Sequence, residues 1–137
     1  MADESMYREN ILDHYKRPRN RGKLAHASCC AEGDNPFCGD EISFCIKVGK
    51  SGKLEEVKFD GHACAICIAS ASILSEEVSN RKISEARAFS KEKLLALLGI
   101  DPGPTRLKCA LLPLKVMKLA IYKQLGKKMS QEDEDLV

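Results

Sequence analysis

The sequence predicts an α+β domain in which helices cover one face of a small antiparallel sheet of three strands. Two observations support this prediction. Apolar residues alternate with polar ones between about residues 41 and 59, and they recur at helical spacing before and after that segment. The chain has 137 residues, of which 44% are hydrophobic and 31% charged, which is enough for one core. We therefore expect a single domain over residues 1–126.

Three adjacent segments are predicted to form the sheet: an irregular edge strand at 26–34 and clearer strands at 41–48 and 54–59. The sequence GKSGK between the last two has the composition of a hairpin turn. In the strand at 54–59, Leu54 is out of phase with Val57 and Phe59, a change that a β-bulge would absorb. Alternation in the strand at 41–48 predicts that one face of the sheet is buried.

Helical spacing predicts one helix before the strands and three after them. The first spans residues 3–16, where Tyr7, Ile11 and Tyr15, with Leu12 beside them, form an apolar stripe. The other three are predicted at 64–78, 91–98 and 107–125.

Composition excludes several classes of protein. No stretch approaches the roughly 18 to 20 apolar residues that a membrane span needs, and the polar, acidic first ten residues do not resemble a signal peptide. A formal net charge of +2 gives no reason to expect binding to nucleic acid or to a membrane. We therefore expect a cytoplasmic protein.

The basic segment RPRNRGK is predicted to be a solvated loop, with docking to an acidic partner as the alternative. Residues 127–137 are acidic, lack apolar periodicity and are expected to form a mobile tail.

The chain is rich in cysteine, and the odd number of these residues leaves at least one unpaired: Cys29, Cys30, Cys38, Cys45, Cys64, Cys67 and Cys109. In the reducing cytosol, metal binding or thiol chemistry is more common than a disulfide framework. Cys38, Cys64 and Cys109 stand at the ends of predicted elements, which favours a shared site, although each could also be a small buried hydrophobe. Cys29, Cys30 and Cys45 are expected to be packing or incidental residues.

The residue types around these cysteines suit a metal. Cys64 and Cys109 are expected near helix N-termini, where backbone amides lower the pKa of a thiol. Asp40 follows Cys38 after the flexible Gly39 and adds an oxygen ligand, although a turn residue that caps backbone amides is the alternative. Three thiolates and one carboxylate fit zinc or the iron of an iron–sulfur cluster. The hard oxygen would make its corner of the site more exchangeable.

The segment CAIC, which contains Cys64 and Cys67, allows a different interpretation. It follows a strand and opens a helix, which is also how a dithiol redox motif is placed. The βα unit that precedes such a motif in a thioredoxin-like chain is missing here, so redox catalysis is the weaker hypothesis.

Three segments together, NPFCGDEI, GHACAICIASAS and RLKCALLP, resemble the U-type iron–sulfur cluster assembly scaffolds, the family of IscU, SufU and the NifU N-terminal domain. The resemblance covers about residues 5–125. It implies an IscU-like α+β fold, with Cys38, Cys64 and Cys109 as cluster ligands and Asp40 as a fourth ligand or a control on cluster lability.

The resemblance also implies a scaffold or carrier rather than an enzyme. Such a protein assembles a [2Fe–2S] cluster transiently, takes sulfur as persulfide from a pyridoxal-phosphate cysteine desulfurase, and passes the cluster to apo-proteins. Cys38 and Cys109 are the two candidates for the first sulfur acceptor, and a homodimer is one oligomeric state that the sequence allows.

The sequence departs from each branch of this family. Lys108 stands before the third cysteine, as in the SufU branch, where the IscU branch has histidine. The insertion that the SufU branch carries between its second and third cysteines is missing, and DPGPTRLK replaces the LPPVK chaperone-recognition segment of the IscU branch. Cys67 replaces a small residue and is expected to be a passive core thiol, with a role as a substitute ligand as the alternative. The same ligands would also suit a zinc-bound persulfide acceptor that shuttles sulfur for the desulfurase, and this alternative stays open.

Overall fold

The computed structural model describes residues 4–36 and 38–137, and it confirms the α+β class. Asp3, where the first helix was expected to begin, lies outside this range. The elements follow in the order α1 (Glu4–Lys16), β1 (Cys29–Asn35), β2 (Asp40–Val48), β3 (Leu54–His62), α2 (Ala65–Val78), α3 (Ile83–Arg87), α4 (Lys91–Leu98), α5 (Gly103–Leu125) and α6 (Gln131–Glu134). The sequence predicts neither short helix, α3 or α6, and α5 begins earlier than expected.

The sheet is antiparallel with strand order β1-β2-β3. Lys47 lies opposite Glu56, while its neighbour Val48 lies opposite Leu54, so Glu55 is the extra residue of the expected bulge. The bulge lets Leu54 and Val57 both face the core although they are three residues apart. The core face of the sheet consists of Ala31, Ile42, Phe44, Ile46, Leu54, Val57 and Phe59.

The helices cover this face in two layers. α5 packs on β1 and β2, α2 packs on α5 and β3, and α1 packs on α2. Because α2 lies between two layers, each of its residues from 67 to 75 is buried, and most of them are alanine, serine or cysteine, which allow close approach. Its buried serines have partners: for example, Ser70 Oγ donates to the carbonyl of Ala110 at 2.7 Å.

The apolar stripe predicted on α1 is only partly correct. Ile11 is buried, but Leu12 and Tyr15 are 49% and 44% exposed. His14 takes the inward position, with its Nδ1 2.7 Å from Ser72 Oγ. Burial and the nearby positive charge of Arg19 lower the pKa of His14, so its ring is neutral at pH 7.

The basic loop after α1 folds back onto the domain. Arg19 forms an ion pair with Asp13 (Nη2 to Oδ2, 2.6 Å), and Arg21 donates to the carbonyl of Gly61 at 2.8 Å. Two of the arginines that were expected to face solvent or an acidic partner therefore bind acceptors within the domain itself.

The acidic tail is packed, whereas the sequence predicts a mobile one. Ser130 caps α6, and the buried Asp133 accepts hydrogen bonds from Lys118 Nζ and Tyr122 Oη, each at 2.7 Å. Leu136 joins the core and is 8% exposed. A helix cap, a buried ion pair and one apolar residue thus outweigh the acidic composition of the segment.

The expectation for Cys30 and Cys45 is also wrong, because they form a disulfide. They lie directly opposite each other on β1 and β2, on the face of the sheet that points away from the helices. Alternation within a strand explains why the adjacent Cys29 turns toward the core and stays a free thiol. Cross-strand register decides such a pairing, and register is not visible in cysteine spacing alone.

Glycine is required at position 61, near the end of β3, where the backbone of β2 is very close. Its φ of +142° is unfavourable for residues with a side chain, and a Cβ there would collide with the carbonyl oxygen of Glu41. We expect Gly61→Ala to lower the free energy of unfolding by about 2 kcal/mol, measured by urea denaturation. Gly52→Ala is the matched control, since Gly52 also has a positive φ but has open space around it. An equal loss in both variants would contradict this account.

Within the described part of the chain, no helix combines the length and the apolar character needed to cross a membrane.

Candidate metal centre

Three of the four predicted site residues lie at or near the ends of elements, and the fourth, Cys109, lies inside a helix. Cys38 lies in the β1–β2 loop, Asp40 begins β2, Cys64 is the N-cap of α2, and Cys109 lies on α5. Asp40 is in phase with Ile42 and Phe44, so its side chain points to the core face and is only 2% exposed. The pleat of β2 therefore places a carboxylate beneath the helices.

Three of these residues are in direct contact. Cys38 Sγ lies 3.0 Å from Cys109 Sγ and 3.1 Å from Asp40 Oδ2. In the parts of the chain that are described, their ligand atoms form a group lying within 4.8 Å of one another, and the sulfur of Cys64 falls outside that group. Two soft sulfurs and one oxygen at this spacing are suitable donors for a thiophilic metal.

Cys64 is attached to the group through its backbone. Its N–H donates to Asp40 Oδ1 at 2.8 Å, while Oδ2 of the same carboxylate faces Cys38. Asp40 thus accepts a backbone amide at the start of α2, as the alternative interpretation expects, and also keeps an oxygen beside the sulfurs. The side chain of Cys64 is half-buried.

Hydrogen bonds favour an ionised Asp40, and burial favours a protonated Cys109. Burial would raise the pKa of Asp40, but hydrogen bonds from Cys38 and from the Cys64 backbone outweigh it and lower that pKa. Burial, followed by the hydrogen bonds with Cys38 and Asp40, raises the pKa of Cys109. The expectation that a helix N-terminus lowers this pKa is wrong, because α5 begins at Gly103 and buries Cys109 inside the helix.

Sequence reasoning missed Arg106, which lies one helical turn before Cys109. Electrostatic interaction with Cys64, followed by hydrogen bonds with Cys64 and Cys109, raises the pKa of Arg106. The i, i+3 spacing from Cys109 is the signal that could have found it. Asn35 was also missed, and its Nδ2 lies 3.8 Å from Cys109 Sγ.

Cys67 lies in the core, fully buried and part of the hydrophobic cluster. Burial, with smaller effects from the charges of Asp40 and Cys64, raises the pKa of its thiol. A thiol held in the protonated form is a poor nucleophile, so this environment does not favour a dithiol redox pair of Cys64 and Cys67.

The fold and the grouped donors define a class of protein: a small α+β domain with a candidate thiol-based metal centre at the end of its sheet. Comparison with known proteins defines the family. Residues 6–131 match the family described as NifU-like N terminal domain. The chain therefore belongs to this family, as its motifs predicted.

Relatives and a solved structure agree with this assignment. The chain is 33% identical to the zinc-dependent sulfurtransferase SufU of Bacillus subtilis, over 90% of this chain and 94% of that protein. It is 34% identical to the iron-sulfur cluster assembly scaffold protein IscU of Thermotoga maritima, over 90% and 97%. A crystal structure from Fervidobacterium islandicum, described as an iron-sulfur cluster assembly scaffold protein for the SUF system, superposes with a TM-score of 0.71 at 29% identity, covering 87% of this chain and 99% of that one.

Proposed function

We propose that this protein is a scaffold on which a [2Fe–2S] cluster is assembled and from which it passes to apo-proteins. Cys38, Asp40, Cys64 and Cys109 hold the cluster as cargo. The observation that carries the proposal is the convergence of the Cys38, Asp40 and Cys109 donor atoms within 4.8 Å, with the Cys64 backbone bonded to the same carboxylate.

Cys38 is the better candidate for the first sulfur acceptor, because it is exposed and Cys109 is fully buried. The sulfur donor is a cysteine desulfurase that carries a persulfide. The Cys38 thiolate attacks the outer sulfur of that persulfide, a new S–S bond forms at Cys38, and the bond between the outer sulfur and the donor cysteine breaks. The donor cysteine leaves as a thiolate, so the exchange needs no external oxidant or reductant.

Asp40 controls release of the cluster in this proposal. It supplies the hardest donor of the set, and its Oδ1 is already engaged by the Cys64 amide.

A second candidate function is a zinc-bound sulfur acceptor that shuttles persulfide from the desulfurase. The same four residues would hold the metal, and the relative from Bacillus subtilis is named a zinc-dependent sulfurtransferase. Zinc would keep the ligating thiols deprotonated. Both functions place the protein in the cytoplasm, with a cysteine desulfurase as partner.

Anaerobic purification with quantification of iron, sulfide and zinc separates the two functions. A brown protein with visible absorption and equal iron and sulfide supports the scaffold. Colourless protein that holds stoichiometric zinc, and that takes up persulfide sulfur without building a cluster, supports the shuttle. Protein that binds neither metal after reconstitution would refute both.

We expect Asp40→Ala to slow loss of a reconstituted cluster by about tenfold, because the most exchangeable donor of the set is removed. The measurement is the rate of transfer to an apo-acceptor and to a chelator. Asp34→Ala is the control, since Asp34 is an exposed aspartate on the neighbouring strand. Equal or faster transfer from Asp40→Ala would remove this residue from the release step.

A further inference from the structure

Cys30 and Cys45 make up a second sulfur site, away from the candidate metal centre. They are cross-strand partners with Cα atoms 4.1 Å apart, joined by a disulfide. The β1–β2 ladder ends at the hairpin tip, where Asn35 lies opposite Asp40, and Cys30 and Cys45 lie near the opposite end of this ladder. None of the contacts among Cys38, Asp40 and Cys109 involves this pair.

The pair is open to solvent on one side. Cys30 is exposed and Cys45 is half-buried, because both point away from the helices. Thiol–disulfide exchange requires an attacking thiolate to reach one sulfur of the bond. The exposed sulfur of Cys30 meets this requirement, and an attack there releases Cys45.

Two lysines neighbour the pair, one across the sheet from Cys45 and one at the backbone of Cys30. Lys58 lies directly opposite Cys45 on β3 and so shares its face of the sheet. Lys123 reaches across from α5, and its Nζ donates to the backbone carbonyl of Cys30 at 3.1 Å. Positive charge close to a cysteine stabilises its thiolate, which is both the leaving group and the attacking group in exchange.

We propose that Cys30 and Cys45 form a reversible dithiol–disulfide couple that exchanges with low-molecular-weight thiols and disulfides of the glutathione class. A thiolate attacks Cys30 Sγ, the Cys30–Cys45 bond breaks, and Cys45 leaves as a thiolate. A second thiolate attacks the small-molecule sulfur of the mixed disulfide, which frees Cys30. The protein disulfide gains two electrons, and two small thiols are oxidised to one small disulfide; oxidation of the dithiol is the reverse.

The couple makes the β1–β2 hairpin sensitive to redox conditions, which the proposed scaffold function does not require. The disulfide links the two ends of a chain segment that contains Cys38 and Asp40. Whether the bond is open or closed therefore reflects the redox state of the surrounding small thiols, on the same hairpin that carries these two residues. A couple of this kind is reduced or oxidised according to its surroundings, unlike a structural disulfide, which stays closed.

The test is a redox titration of the full-length chain in buffers with graded ratios of reduced to oxidised glutathione. Samples are quenched in acid, alkylated and cleaved at glutamate, which separates Cys30 from Cys45 at Glu32 and Glu41. We expect Cys30 and Cys45 to change together in one two-electron transition within the range of the buffers. Cys30→Ser is expected to abolish the transition and leave Cys45 as a thiol or a glutathione adduct.

Cys29→Ser is the matched control, since Cys29 is adjacent but faces the core, and it should leave the transition unchanged. The proposal fails if the disulfide stays closed in the most reducing buffer, if it never forms in the most oxidising one, or if Cys29→Ser abolishes the transition as Cys30→Ser does. Because the readout counts thiols at named positions, it is independent of whether the protein holds a cluster or zinc.

Discussion

Cys109→Ala is expected to weaken zinc binding by about a hundredfold, because it removes a sulfur that lies 3.0 Å from Cys38 Sγ at the centre of the donor group. The measurement is competition for zinc against a chromophoric chelator, with the apo-protein prepared under reducing conditions. Zinc serves as the probe because it needs no assembly of a cluster.

Cys67→Ala provides the matched control. Cys67 and Cys109 are both fully buried cysteines, so the two variants lose the same atoms from equally packed surroundings. We expect Cys67→Ala to bind zinc like the parent protein. Equal losses in the two variants would mean either that Cys67 is a ligand or that the effect comes from packing, and thermal unfolding of both apo-proteins distinguishes these outcomes.

Lys118→Met is expected to lower the free energy of unfolding by about 3 kcal/mol, since it leaves Asp133 buried without its cation. The side chains of Lys118 and Asp133 are 6% and 10% exposed, and their charged atoms are 2.7 Å apart. Urea denaturation measures the loss, and limited proteolysis shows whether the tail has come away from α5.

A double-mutant cycle tests whether the pair itself is responsible. Replacing both residues, as in Lys118→Met with Asp133→Leu, should be less harmful than Lys118→Met alone, because no charge is left buried. Lys115→Met is a milder control, since Lys115 is less buried and donates to the backbone carbonyls of Glu134 and Val137. A double variant no more stable than the single one would contradict this explanation.

The same pair gives stability a defined dependence on pH. Burial alone would raise the pKa of Asp133, but hydrogen bonds from Lys118 and Tyr122 outweigh it, and the pKa falls below the usual 3.8. A carboxyl group whose pKa is lower in the folded state stabilises the protein above its unfolded pKa. This contribution should therefore be constant from neutral pH down to about 4 and should disappear below that, together with the difference between the parent protein and Lys118→Met.

Much of the fold was predictable because its strands and long helices have regular apolar patterns. Alternation located β2 and β3, and the phase change at Leu54 correctly indicated the bulge. The position of Asp40 on the buried face follows from the same alternation as Ile42 and Phe44. Cys38, Cys64 and Cys109 were recognisable because they stand at or near the ends of predicted elements, although Cys109 lies inside the longer helix α5.

Features that depend on register or on tertiary contacts were not predictable in the same way. The Cys30–Cys45 pairing requires the relative alignment of two strands. The tail is held by Lys118, a residue of α5 that no local pattern connects with Asp133. The inward turn of His14 depends on a serine of another helix, and the raised pKa of Cys109 depends on the burial of this residue within α5.

The site takes its donors from the β1–β2 hairpin, the start of α2 and the body of α5, while the stretch from Ser79 to Pro102, which carries α3 and α4, supplies none of them. Evolution can therefore lengthen or shorten that stretch without moving a donor atom. The length and the surface of this stretch can therefore differ between related proteins, while the candidate donor atoms at the end of the sheet keep their positions.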